Sequence, residues 1–193
     1  KMGDRRQEHG RFFGFSGDRV TVLALGGSQG AQSVNANFLG ALELLDGPAR
    51  ERIQVLHLCG HMPPRSAEEV YRRIGVPAKV FSFFDRMDLA YGAADFAVGR
   101  AGATFLAEIA ARGIPAILVP YPHAGGHQLE NARVFSRNAR AVVLEQGGLN
   151  PVALAARVND FIRRAEAAKR TGADPKPQKD VSMNSRRVFL EFM

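Results

Sequence analysis

Tryptophan is absent from these 193 residues, tyrosine occurs three times and cysteine once. The single cysteine, Cys59, rules out an internal disulfide and fits a reducing compartment. No apolar run approaches the ~20 residues that a membrane-spanning helix needs. Residues 1–17 hold no apolar stretch framed like a signal peptide, so secretion is not indicated. A Cys/His finger and a Gly-Phe-Phe ribonucleoprotein motif are also lacking, and the basic residues are scattered, with local density at Arg163–Arg164, Lys169–Arg170 and Arg186–Arg187. No nucleic-acid partner is therefore expected. Phe12, Phe13 and Phe15 beside Arg11 have the chemistry to stack bases, but packing of apolar anchors on a neighbouring surface is the preferred reading.

What is present describes an ordinary globular chain. Apolar residues make up 46% and charged residues 23%, enough for a real core. The formal net charge of +7 favours anionic partners such as phosphates, nucleic acid or acidic lipid, without choosing among them. Short, almost continuously apolar runs at Val20–Leu25, Ile53–Leu58, Lys79–Phe83, Asp95–Val98, Ala116–Val119 and Ala141–Leu144 have the character of strands covered on both faces. Between them lie helical patterns at Ser33–Leu45, Ala67–Ile74, Met87–Ala94, Thr104–Arg112, His127–Asn138 and Pro151–Glu166. The alternation predicts an α/β fold with a doubly wound parallel sheet of about six strands. Residues 1–19 are expected to be a lead-in, 20–168 the folded domain, and 169–193 a linker and tail. The proline-bearing stretch 171–180 is the linker, and 181–193 a short helix carrying Val188, Phe189 and Phe192.

In such a sheet ligands bind where strands hand over to helices. Three of those loops carry chemistry. Gly26-Gly27-Ser28-Gln29-Gly30-Ala31 follows the first strand; its glycines let backbone N–H groups approach an oxyanion, though a plain tight turn uses the same residues. No lysine follows Gly30, so this is not a Walker A loop, nor does it fit G-x-G-x-x-G. Gly99-Arg100-Ala101-Gly102-Ala103-Thr104 opens another helix, with Glu108 one turn further on the face beneath Thr104. A carboxylate there can accept both hydroxyls of a ribose, or merely complement the helix dipole. Arg100 can pair a phosphate or brace a neighbour. In residues 121–131, His127, Gln128 and Asn131 stand at a helix start as neutral hydrogen-bonders suited to sugar hydroxyls. His123 with His127 lacks the glutamate and third ligand of a zinc site. His57, Cys59 and His61 alternate without a fourth ligand, so a core or loop role is preferred and no metal is expected.

Together GGSQGA at 26–31, FFDRM at 83–87, GRAGATFLAE at 99–108 and PHAGGHQLENA at 122–132 resemble, in order and over roughly residues 20–165, the donor half of the MurG family of UDP-N-acetylglucosamine transferases. The resemblance implies one Rossmann-like half of a glycosyltransferase B fold. The implied reaction is inverting transfer of N-acetylglucosamine from UDP-N-acetylglucosamine to a lipid-linked acceptor, lipid I to lipid II, in peptidoglycan synthesis. It implies that Gly27, Ser28 and Gln29 contact the diphosphate or sugar, and that the Phe84 backbone bonds uracil with Met87 packed nearby. Ala103 and Thr104 would open the phosphate-facing helix, Glu108 hold the ribose, and His127, Gln128 and Asn131 read the sugar. Arg100 joins this substrate-binding set from the loop reading above. No cofactor is implied, and the catalytic base is expected in an N-terminal acceptor half that would precede Val20, so the chain is expected to be part of a longer enzyme or one subunit of a split one. That enzyme would be cytoplasmic and peripheral on the inner face of the membrane, where an anionic surface is a further partner. A non-catalytic nucleotide-sugar module and a sugar-nucleotide epimerase are the alternatives; GGSQGA argues against the second.

Overall fold

A computed structural model of the chain describes residues 2–26, 32–122, 127–138 and 140–172. Among these residues six strands form one sheet: β1 (Val20–Leu25), β2 (Ile53–Leu58), β3 (Ala78–Phe81), β4 (Phe96–Gly99), β5 (Ala116–Leu118) and β6 (Ala141–Val143). Every pairing is parallel, and the order is β3-β2-β1-β4-β5-β6. The central strands are buried along their length, β2 at all six positions, whereas the edge strands β3 and β6 are only partly covered. Continuous burial explains why these segments read as unbroken apolar runs.

Helices cover both faces. On one, α2 (Gln32–Glu43), α4 (Pro64–Ile74) and the long α8 (Pro151–Thr171) pack Phe38, Leu42, Tyr71, Leu154 and Phe161 against Val22, Val55 and Val98. On the other, α5 (Met87–Ala93), α6 (Ala103–Arg112) and α7 (His127–Asn138) pack Tyr91, Leu106, Ile109 and Phe135 against Leu23, Ala97 and Leu118. Local chemistry sets the ends. Asn150 accepts from the Ala153 N–H at 2.9 Å and Pro151 opens α8, while Gly75 stops α4 at φ +73° with the Val76 N–H returning to the Tyr71 carbonyl.

Two helices were not among the expected segments. α1 (Met2–Phe12) packs against α5, with His9 seated on Gly92, where any Cβ would collide with the imidazole. Phe13 is buried among Phe15, Phe81 and Phe84 and is an apolar anchor here, whereas Phe12 is largely exposed. The short α3 (Gly47–Glu51) is capped by Asp46. The strand expected over Lys79–Phe83 stops at Phe81 because the next residues leave the sheet edge, and Phe83 is 81% exposed. α8 runs past Glu166 to Thr171, held at its end by Lys169, whose ammonium donates to the Arg19 carbonyl at 2.6 Å. The expected linker beyond Gly172 and the helix over 181–193 lie outside the described residues.

Candidate functional site at the sheet's switch point

The crossover from β1 goes to one side of the sheet and that from β4 to the other, so the strand order reverses between them. The two outgoing helices therefore leave a crevice at the carboxyl ends of β1 and β4, the usual ligand position in such sheets. Two glycines make the approach close. A Cβ on Gly26 would fall 2.5 Å from the Asn35 Oδ1, and one on Gly99 would fall 3.2 Å from the Leu25 Cβ. Gly27, Ser28 and Gln29, between Gly26 and α2, lie outside the described residues.

Across the crevice α6 begins at Gly102, which supplies no side-chain cap and whose Cβ position meets nothing within 4 Å. Ala103 and Thr104 are exposed. Their N–H groups are the uncompensated donors of a helix start and carry its positive partial charge. One turn below, Glu108 is half-buried and accepts the Tyr91 hydroxyl at 2.7 Å. Burial, then the bond to Glu108 and its charge, pushes the Tyr91 phenol far up, so it stays a donor. Arg112 lies 5.1 Å from the Tyr91 ring centre and donates to the Glu108 carbonyl. The carboxylate is thus oriented while retaining acceptor capacity for a diol.

Arg100 is 9% exposed and joins elements rather than facing outward. Its guanidinium donates to the Val119 and Pro120 carbonyls at 3.2 Å, to Gln146 at 2.8 Å and to the Ser33 hydroxyl at 3.0 Å, and lies over the Tyr121 ring. Burial lowers its pKa from the ordinary arginine value. It fixes the start of α2, the end of β5 and the turn at Gln146–Gly148 as one platform. Of the two roles open to it, bracing is the one these contacts display.

At the third loop, Gln128 turns back to accept the Tyr121 N–H at 3.0 Å. Its amide oxygen is thereby engaged in holding the loop. His127 is exposed and Asn131 half-exposed on the same first turn of α7, and His123 lies outside the described residues. The FFDRM segment leads into α5. Phe84 packs on Phe81 and Phe13, its backbone bonds to no other described residue, and Met87 is half-buried beside the same cluster.

Behind the first loop runs a polar chain that the sequence did not disclose. Asn35 donates to the Cys59 carbonyl at 2.8 Å and its Oδ1 takes the His57 Nε2–H at 3.1 Å; the Tyr71 hydroxyl donates to His57 Nδ1 at 2.9 Å. The orientation of the amide follows from this network. Both imidazole nitrogens are used, so His57 is no metal ligand, and burial drags its pKa down to about 4. Among the described residues no group of three or more His, Cys, Asp or Glu is placed to hold a metal ion. Nor is any helix among them long and apolar enough to cross a membrane. Tyr91 and Asn35 escaped the sequence reading because their partners lie 17 and 22 residues away. No local spacing announces such pairs.

The family model for the glycosyltransferase family 28 C-terminal domain matches residues 21–185. A protein of Syntrophotalea carbinolica named UDP-N-acetylglucosamine--N-acetylmuramyl-(pentapeptide) pyrophosphoryl-undecaprenol N-acetylglucosamine transferase is 42% identical over 148 residues, covering 76% of this chain and 41% of its own. A Nocardioides protein of the same name is 36% identical over 190 residues, covering 97% and 51%. The chain thus spans about half the length, or less, of these curated relatives. Among solved structures, Acinetobacter baumannii MurG is similar with a TM-score of 0.66 at 25% identity, over 94% of this chain and 52% of that one. The C-terminal CMP-Kdo binding domain of WaaA, at 9% identity and a TM-score of 0.56, shares the fold over 90% of this chain and 95% of its own.

Proposed function

The chain belongs to the family of glycosyltransferase family 28 C-terminal domains, and on that premise we propose that it is the donor-binding half of an N-acetylglucosamine transferase. Residues 20–168 are the donor-binding domain in this reading. The donor is UDP-N-acetylglucosamine and the acceptor a lipid-linked muramoyl pentapeptide, as in the names of the relatives. The observation that supports it is the open start of α6 at the switch point, where the carboxyl ends of β1 and β4 lie side by side.

The diphosphate sits against the α6 N–H groups at Ala103 and Thr104 and the glycine loop of Gly27, Ser28 and Gln29, where helix dipole and backbone donors favour an anion. Glu108, steadied by Tyr91, accepts the ribose hydroxyls. The uracil edge bonds the Phe84 backbone beside Met87. Asn131 and His127 meet the sugar hydroxyls, with Gln128 holding their loop. Arg100 acts on the phosphates through the platform it braces. In the transfer an acceptor hydroxyl oxygen attacks the anomeric carbon, the bond to the β-phosphate oxygen breaks, and UDP leaves with the electron pair. The hydroxyl proton goes to a base outside this chain. Donors aimed at the departing diphosphate lower the barrier by stabilising its charge. The full enzyme works at the cytoplasmic membrane face, where an acidic surface complements the net charge of +7.

Calorimetry with UDP and UDP-N-acetylglucosamine tests the reading. Both should bind the chain, and Glu108→Ala should weaken UDP by about 1.5–3 kcal/mol, the worth of hydrogen bonds to a charged acceptor. UDP binding that is absent, or untouched by Glu108→Ala on folded protein, would refute the assignment. Transfer to lipid I should require a separately supplied acceptor half, because one wall of a cleft cannot position two substrates.

A further inference from the structure

The opposite, amino edge of the sheet holds a cavity of about 470 Å³ between the starts of β4, β5 and β6, helix α8 and helix α1. β4 separates it from the donor crevice: Phe96 lines the cavity and Gly99 the crevice, roughly 10 Å apart at the rise of an extended strand. Nothing in the proposed transferase reaction uses this space.

Its walls combine two chemistries. Phe96 and Phe161, with small apolar side chains between them, form the floor, and Arg6, Arg140 and Arg164 stand around it. Asp95 is the carboxylate in the lining, and its side chain is 2% exposed. It is already compensated by Arg6 at 2.9 Å, Lys169 at 3.0 Å and the Thr21 N–H at 2.8 Å. Arg164 pairs with Asp160 at 2.6 Å and lies 5.5 Å from the Phe161 ring centre. Arg140 has no side-chain partner among the described residues. Among the described residues the lining itself carries three arginines (Arg6, Arg140, Arg164) and one carboxylate (Asp95), an excess of two positive charges.

A cluster built only to close the fold needs no cations beyond those that hold Asp95 and Asp160, and Arg140 holds neither. Here the excess lines a concavity within the ~300–1,000 Å³ range of small-molecule sites. Guanidinium forks suit phosphate oxygens. The floor suits a hydrocarbon body, and free phosphate would leave it wet. An uncharged apolar molecule would instead strip water from the arginines without repayment. We propose that this cavity binds a phosphate ester bearing an apolar substituent, with Arg140 and Arg164 on the phosphate and Phe96 and Phe161 against the substituent.

Hexyl phosphate, inorganic phosphate and hexanol titrated into the chain by calorimetry decide the matter. Hexyl phosphate should bind at least about ten-fold more tightly than either fragment, and Arg140→Gln and Arg164→Gln should each weaken it about ten-fold, the loss of one charge-assisted contact. Ala165→Leu, which fills the cavity without altering charge, should abolish binding; UDP affinity should stay the same in all three variants. Arg140 is exposed, so its variant keeps the test decidable should another fail to fold. Competition by phosphatidylglycerol vesicles, but not by phosphatidylcholine vesicles, would identify a phospholipid headgroup as the source, and its absence a soluble ester. Hexyl phosphate binding no better than phosphate, binding unchanged in Arg140→Gln, or displacement by UDP would overturn the proposal.

Discussion

Acidification should destabilise this fold in part through His57, by about 2 kcal/mol at pH 5. The imidazole is fully buried, donates to Asn35 and accepts from Tyr71, and has Phe38 edge-on 5.9 Å away. With a folded pKa of about 4 against an ordinary 6.5, the native state refuses a proton that the unfolded chain takes up. A depressed pKa gives stability that is fully present above pH 6.5 and lost as the pH falls toward 4. At pH 5 the unfolded histidine is ~1.5 units below its pKa, and at about 1.36 kcal/mol per unit the loss is about 2 kcal/mol. For a chain of this size that is a fall in Tm of roughly 4–8 °C. Urea melts of the parent and of His57→Gln at about pH 7.5 and about pH 5 isolate the term, because carboxylates and the other histidines titrate alike in both proteins. The parent should lose about 2 kcal/mol more than the variant. An equal loss in the two, or a His57 resonance titrating near 6.5 in the folded protein, would refute the reasoning.

Gln128→Ala should destabilise the chain by about 1 kcal/mol and weaken UDP and UDP-N-acetylglucosamine together, since it orphans the Tyr121 N–H. Asn131→Ala should instead lower the UDP-N-acetylglucosamine to UDP affinity ratio, by about 0.5–1.5 kcal/mol; an unchanged ratio removes it from the sugar site. Asp95→Asn should cost about 3 kcal/mol in urea unfolding, near the low end for a broken buried pair because Arg6 and Lys169 both reach solvent. A loss below about 0.5 kcal/mol would show that the ion cluster is not holding α1 and α8 to the sheet. Gly26→Ala should lower stability by about 1–3 kcal/mol through its clash with the doubly bonded Asn35, and Gly102→Ala, facing open space, should not.

How much of this was legible in the sequence depends on the range of the interaction. Strands β1 and β2 appear with the boundaries their apolar runs predict, because burial on both faces leaves no polar position to blur them. The helices framed by Asn150, Gly75 and Gly113 end where their caps dictate. The strand-to-helix turns at Gly26 and Gly102 were legible as turns because strand-to-helix handover and glycine chemistry are local. The α1 helix was not, since its pattern is weakly amphipathic and it gains a face only by laying His9 on Gly92.

Tertiary structure alone decided the roles that depend on partners far along the chain. Arg100 had two readings until the fold brought Val119, Pro120, Gln146 and Ser33 around its guanidinium. Gln128 was an open amide until the loop folded the Tyr121 N–H onto it. His57, alternating with Cys59 and His61, became a core histidine only when Asn35 and Tyr71 took both its nitrogens. The cavity at the amino edge draws on residues from Arg6 to Ala168. The physical reason is common to all four: periodicity and turn chemistry act over a few residues and are written in the sequence. Which donor meets which acceptor across a sheet is fixed by strand order, and strand order is a property of the packed chain.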